Sequence, residues 1–317
     1  MLITNVTTPS SNGAPVSVRI EGDLVTEIGA GLVARNGESV IDGNGGLLTE
    51  SLVETHAHLD KAYLAELIPN PTGDLMGAIT SMIANRHVMT VENTIERGGC
   101  PHLDDDAVMA NAELVNLAGD LGVPLDLHAD EHTDAHRTSL QNLAERVIST
   151  GFEHGVTASH CVSLGMQDVD TQRATAEKLS EAGIGVVALP HTNLFLQGRD
   201  MQSAMPRGLT AVKHLRDAGV RVAAGSDNLQ DPFNPIGRGD PLEAAGLMIL
   251  TAHLLPEEAF ASVSTVAREV VGARAAGPSV GAVADLMLTA AASVREMIAV
   301  GGPRSFVMRR GVVVHRH

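Results

Sequence analysis

Two cysteines, Cys100 and Cys161, are all that this chain of 317 residues contains. A disulfide framework is therefore excluded, and a reducing compartment is the expectation. The opening stretch MLITNVTTPSSNG has neither a basic start nor a sustained apolar run, which argues against a leader or a membrane span and predicts a cytoplasmic protein. Positive charge is scarce, with 22 Lys and Arg against 38 Asp and Glu and a formal net charge of −16. Nucleic acid and anionic membrane both need basic patches, so neither is an expected partner. Lysine itself is reduced to Lys61, Lys178 and Lys213. No low-complexity tract argues for disorder, and the 44% apolar content suits one large globular domain or two smaller ones.

Histidine is the exception to this thrift, with fourteen copies, many at the ends of β-like stretches. The first 50 residues read as short strands between Gly, Asn and Asp breakers, as in VSVRIEG, LVTEIG and SVIDG. The carboxyl end returns to that style with ADLMLT and FVMRRGVVVH, a hairpin around Arg310-Gly311. Residues 1–50 and 280–317 thus predict one small β-sandwich domain built from both termini, with residues 51–279 as a separate domain. In the middle, PLDLHADE, GVTASH, GIGVVALPH and GVRVAAGSD alternate with helical patterns such as SLQNLAERVIST and DTQRATAEKLSEAG. Their polar ends, His128, His160, His191 and Asp227, recur at steps of 32, 31 and 36 residues. Regular strand–helix units with polar groups gathered at the carboxyl ends predict an α/β fold, a TIM-like (β/α) barrel. Between His58 and His128 there is room for only one weak strand, GGCPHL at 98–103. Six strands rather than eight follow: either two are disguised, or the barrel lacks two strand–helix units.

The stretch SLVETHAHLDKAY places His56 and His58 two residues apart, which in a strand means one shared face. Two imidazoles there, joined by His128, His160 and Asp227 at other strand ends, form a donor set for zinc or iron(II). A water bound to such an ion becomes a nucleophile near neutral pH.

ETHAHLDK, LHADE, VTASHC and AAGSDNLQDPFNPIG, in that order, resemble the four motifs of the amidohydrolase superfamily, and within it cytosine deaminase and its relatives. NLFLQGRD at 193–200, Glu131 three residues after His128, and the run from Asp231 to Gly237 strengthen the closer likeness. The resemblance implies His56, His58, His128 and Asp227 as ligands of one divalent metal ion, with His160 orienting the water beside it. It also implies that Asp227 takes a proton from that water. Glu131 would carry a proton to a ring nitrogen of the substrate, because attack at an amidine-like carbon stalls unless that nitrogen is protonated. Dinuclear members bridge their metals with a carboxylated lysine on the fourth strand, and no lysine stands at GGCPHL. Lys61, Gln197 and Asn228 are candidate substrate contacts. Lys61 has a surface ion pair as its alternative, and Gln197 a loop-capping role.

Two departures bear on the substrate. Asn228 stands where cytosine deaminases carry a second acid, and the third-strand glutamine of the family has no counterpart in the shortened segment. The reaction expected is hydrolytic deamination of a small nitrogen heterocycle, cytosine-like first and triazine or creatinine-type rings second. A shortened barrel that holds metal but assembles no pocket is the alternative from another class. An open barrel edge also predicts a homo-oligomer.

Overall fold

Alternating apolar residues at the amino end form strands, as a period of two requires. The computed structural model describes residues 1–88, 100–104 and 106–317. Its first strands are β1 (Leu2–Val6), β2 (Val16–Glu21), β3 (Leu24–Gly29), β4 (Val40–Asp42) and β5 (Leu47–Glu50). Parallel strands follow: β6 (Ala57–His58), β7 (Leu125–Ala129), β8 (Val156–His160), β9 (Gly185–Ala188), β10 (Val222–Ala224) and β11 (Asp227–Asn228). The chain closes with β12 (Leu286–Thr289), β13 (Arg304–Arg309) and β14 (Val312–Arg316). It divides into two compact units, Met1–Val53 with Leu254–His317, and Glu54–His253.

The unit made of both termini holds two four-stranded sheets, β3-β2-β1-β4 and β14-β13-β12-β5. Ile3, Val18 and Ile20 from the first sheet and Leu48, Leu286 and Phe306 from the second share one hydrophobic cluster. Each such side chain, once buried, contributes roughly 1.5–3 kcal/mol. Arg19 is buried as well, and it persists because acceptors surround it. It donates to Glu38 at 2.9 and 3.3 Å, to Glu27 at 2.6 Å and to the Val33 carbonyl at 2.7 Å. The boundary expected at 279/280 falls instead between His253 and Leu254. The reason is that helices Pro256–Ser262 and Thr265–Val270 are tied to the terminal unit. Val53 N–H donates to the Val263 carbonyl at 2.9 Å, and Arg268 reaches Asp285 at 3.1 Å and the Ser51 hydroxyl at 2.9 Å.

In the second unit β7, β8, β9 and β10 pair side by side, all parallel, and β11 pairs in parallel with β6. Only Gly225 and Ser226 separate β10 from β11. Gly225 N–H bonds the Ala188 carbonyl (3.1 Å) on one flank, and Asp227 N–H bonds the His56 carbonyl (2.9 Å) on the other. Residues 222–228 therefore act as one interrupted strand between β9 and β6. Helix Ser139–Thr150 lies between β7 and β8, and helix Val169–Glu181 between β8 and β9, as the amphipathic patterns imply.

Two expectations need correction. GGCPHL is not a strand over its described part: Pro101–Leu103 form a short 3-10 turn, since proline offers no ladder N–H. Gly98 and Gly99 lie outside the described residues. Five parallel stretches therefore replace the six expected, and no strand lies between β6 and β7 among the described residues. His191 does not end a strand either. Pro190 at the first helical position starts helix Pro190–Leu196 just ahead of it.

Glu38 provides a test of the terminal unit. Hydrogen bonds from Arg19 hold its carboxyl down at about 2. A depressed carboxylate stabilises the fold above its unfolded value, and that contribution fades as pH falls through the folded one. The urea midpoints of wild type and Glu38→Gln should therefore differ by a constant amount above about pH 5 and converge as pH approaches 2. A gap that is unchanged at low pH would contradict this assignment.

Candidate metal centre

His56, His58, His128, His160 and Asp227 come together at the carboxyl ends of β6, β7, β8 and β11, and all five are buried. His58 Nε2 lies 3.4 Å from His56 Nε2, 3.2 Å from His128 Nε2 and 3.3 Å from Asp227 Oδ1. His56 Nε2 is 3.7 Å from the same carboxylate oxygen. Ligand atoms held about 2.1 Å from a tetrahedral ion stand roughly 3.4 Å apart, so these separations suit a single small cation. The carboxylate gives an independent reason. Neither oxygen of Asp227 receives a hydrogen bond among the described residues, although the side chain is fully buried. An anion so placed needs a cationic partner. Burial also drives the His56 pKa down to about 3, which keeps its nitrogens available as donors at neutral pH. The residues present therefore fit a divalent ion. Nitrogen and oxygen donors of this kind accept zinc or iron(II).

Simple strand alternation does not account for this convergence. Ser159 pairs with His128 across β7 and β8, so the next residue, His160, belongs to the opposite face. Its backbone instead turns left-handed, with φ +67°, and Cys161 follows at +50°. That twist turns the ring back over His128, the two stacking at 5.0 Å between centroids. Asp227 is also left-handed, with φ +61°. Each such residue costs about 1–2 kcal/mol, which the surrounding packing must offset.

Around the donors stands a second set of contacts. Ser159 Oγ lies 3.1 Å from His56 Nδ1, and Asn193 Oδ1 lies 3.0 Å from His160 Nδ1. Partners on the far ring nitrogen leave Nε2 to face the centre. Sequence reasoning missed both. Asn193 sits in the NLFLQGRD motif, and Ser159 occupies the position two after Thr157 in GVTASH, so each carried a faint signal.

Glu131 is buried, its Oε1 3.5 Å from His160 Nδ1. Burial, and secondarily the charge of Asp227, pushes its carboxyl up to about 8. Gln197 is buried beside it and donates to the Glu131 backbone carbonyl at 3.2 Å. Lys61 is nearly buried, with its ammonium 5.2 Å above the Phe233 ring. It forms no ion pair with Asp60 or Glu66, the surface alternative. Asn228 is committed at both ends of its amide: Oδ1 accepts from Thr192 at 3.1 Å and Nδ2 donates to Asp231 at 2.8 Å. Cys161 is buried with its thiol pKa raised by desolvation, as befits a core residue. His132 bonds Ser163, His191 faces Glu243 at 3.3 Å, and neither belongs to the donor cluster.

A profile of the amidohydrolase family matches residues 72–315. A pterin deaminase from Rhizobium rhizogenes is 33% identical over 264 residues, 81% of this chain but 56% of that protein. The chain thus spans about half the length of this curated relative. Among solved structures, 5-methylcytosine deaminase from Klebsiella pneumoniae with 5-fluorocytosine superposes with a TM-score of 0.89 at 22% identity, over 100% of this chain and 98% of that one. N-isopropylammelide isopropylaminohydrolase from Burkholderia multivorans superposes at 0.77 with 24% identity, over 99% and 98%. At these identities the likeness is one of fold.

Loss of a donor and loss of a donor's partner should differ in degree. His58→Ala should weaken zinc binding by more than about 100-fold, and Ser159→Ala by about 10-fold, as outer contacts do. Competition with a chromophoric chelator measures both. Equal losses for the two variants would contradict the ranking.

Proposed function

This chain belongs to the amidohydrolase family, and from that premise we propose that it is a metal-dependent hydrolase that deaminates a small nitrogen heterocycle. The favoured substrate is a pyrimidine ring with an amino-bearing amidine carbon, cytosine-like in its simplest form. Pterin is an amino-oxopyrimidine of the isocytosine type fused to a second ring, so the pterin deaminase relative supports the wider aminopyrimidine class. The observation that carries the reading is the pairing of the donor cluster with a buried acid, Glu131, whose pKa is raised to about 8. One divalent ion per chain, zinc or iron(II), would be held by His56, His58, His128 and Asp227. When bound, it supplies Lewis-acid activation of water.

The remaining work falls to side chains. Asp227 takes a proton as the water oxygen bonds to the amino-bearing carbon, and His160 orients that water. Glu131, protonated at neutral pH, gives its proton to the adjacent ring nitrogen, so the carbon becomes tetrahedral without a full negative charge on the ring. The proton held by Asp227 then goes to the amino group, the C–N bond breaks and ammonia leaves with the bonding pair, while the hydroxyl proton on the same carbon returns to Glu131 as the carbonyl forms. Gln197 fixes Glu131 through its main chain. Lys61 faces the ring's oxo group, and Asn228 stabilises the loop behind it as well as contacting the substrate edge.

The shortened strand set supports a second reading. Among the described residues no strand lies between β6 and β7, and there each of these two strands has a strand partner on one side alone. We propose that these edges associate with another copy of the chain, giving a homo-oligomer. The alternative from another class is a metal-binding scaffold whose shortened barrel assembles no pocket.

The test is ammonia release from cytosine, isocytosine, pterin, creatinine and amino-triazines by protein loaded with zinc or with iron(II). Turnover on a pyrimidine-type ring is expected, and turnover confined to triazines or creatinine would reassign the substrate. Metal binding with no turnover on any ring would favour the scaffold. Glu131→Gln should lower kcat by roughly 10²–10⁴-fold with metal content unchanged, and a smaller loss would remove Glu131 from proton transfer.

A further inference from the structure

The first and last strands of the parallel set pair over two residues each, Ala57–His58 against Asp227–Asn228. Three of the four donors depend on that pairing, because His56 and His58 stand on one side of it and Asp227 on the other. So short a ladder offers little to hold the register. Glu54, two residues before His56, supplies more. Its Oε1 accepts from the His56 N–H at 3.1 Å and from the Ser226 N–H at 2.9 Å. One carboxyl oxygen thus spans both chain segments just ahead of their donors. Thr55 adds a parallel tie, its hydroxyl donating to the Ala224 carbonyl at 3.1 Å.

The opposite segment is shaped to admit this carboxyl. A Cβ on Gly225 would lie 2.9 Å from Glu54 Oε1, 3.0 Å from Leu189 Cδ2 and 3.1 Å from Thr55 Oγ1. A side chain at 225 would force these three side-chain ends to move, so the glycine leaves the Glu54 carboxyl undisturbed in its place.

We propose that Glu54 is a positioning residue of the metal centre: its carboxyl oxygen clamps the backbones of His56 and Ser226 and so sets the spacing of His56 and His58 from Asp227. The inference rests on the reading of that cluster as a divalent-ion site, and it concerns ion affinity rather than turnover. The acceptor oxygen matters and the charge does not. Glu54→Gln, which keeps an oxygen in place, retains the clamp, and Glu54→Ala removes it.

The measurement is the zinc dissociation constant of the full chain by chelator competition, alongside thermal melts of the metal-free protein. Glu54→Ala should weaken zinc by about 10- to 100-fold, the range for contacts behind a ligand, with Glu54→Gln within about threefold of wild type. Gly225→Ala, which crowds the carboxyl without touching a donor, should follow Glu54→Ala and serves if that variant fails to fold. A Glu54→Ala protein that melts earlier but binds zinc as wild type does would reduce Glu54 to a structural role and overturn the proposal. So would a Glu54→Gln loss as large as that of alanine. Wild-type protein that binds zinc or iron(II) but releases no ammonia would sink the deaminase reading and leave this one standing, whereas wild-type protein that binds neither ion would sink both.

Discussion

Four imidazole rings and one carboxylate packed out of water repel as readily as they attract, and the rest of the second unit is arranged around that conflict. His58 Nε2 stands within 3.4 Å of three other donor atoms. Lone pairs at such distances lower the free energy only if something positive lies among them. Asp227 sharpens the requirement, since a buried carboxylate without a hydrogen-bond donor costs several kcal/mol. Strand ends, left-handed turns and partners on the far ring nitrogens all serve to keep these atoms close despite that cost.

The backbone bears part of the cost. His160 and Asp227 both adopt conformations that side chains other than glycine and asparagine seldom take. His160 is the last residue of β8 and Asp227 the first of β11, so each sits at a strand terminus. A ligand in the middle of a strand has its face decided by alternation. At a terminus, a left-handed backbone can turn it toward a common point.

The donors were legible because their signal is local. His-x-His at a strand end, and polar residues closing three β-rich stretches, need only the period of two and the recurrence of strand–helix units. The helices were equally plain, Ser139–Thr150 matching its sequence pattern at both ends. What escaped was whatever depends on contacts distant in sequence. Glu54 and Ser159 read as ordinary polar residues until strands 57–58, 156–160 and 222–228 lie side by side. The boundary near residue 254 was invisible for the same reason, as Arg268 reveals its allegiance only through Ser51 and Asp285. GGCPHL misled by composition, its proline outweighing its length. Asn228, a candidate substrate contact, is oriented by Thr192 and Asp231, two partners that the sequence did not link to it.

Gln197 donates to a main-chain oxygen of Glu131, and Gly208 is packed against Gln197 and Asn193, with φ +65°. Anyone seeking to retune this protein for a different ring therefore has a handle remote from the donors. Changes along 197–208 would tilt the acid without altering its chemistry, whereas positions 160, 161 and 227 are poor targets for randomisation, because most replacements there would be rejected by the chain before any substrate arrived.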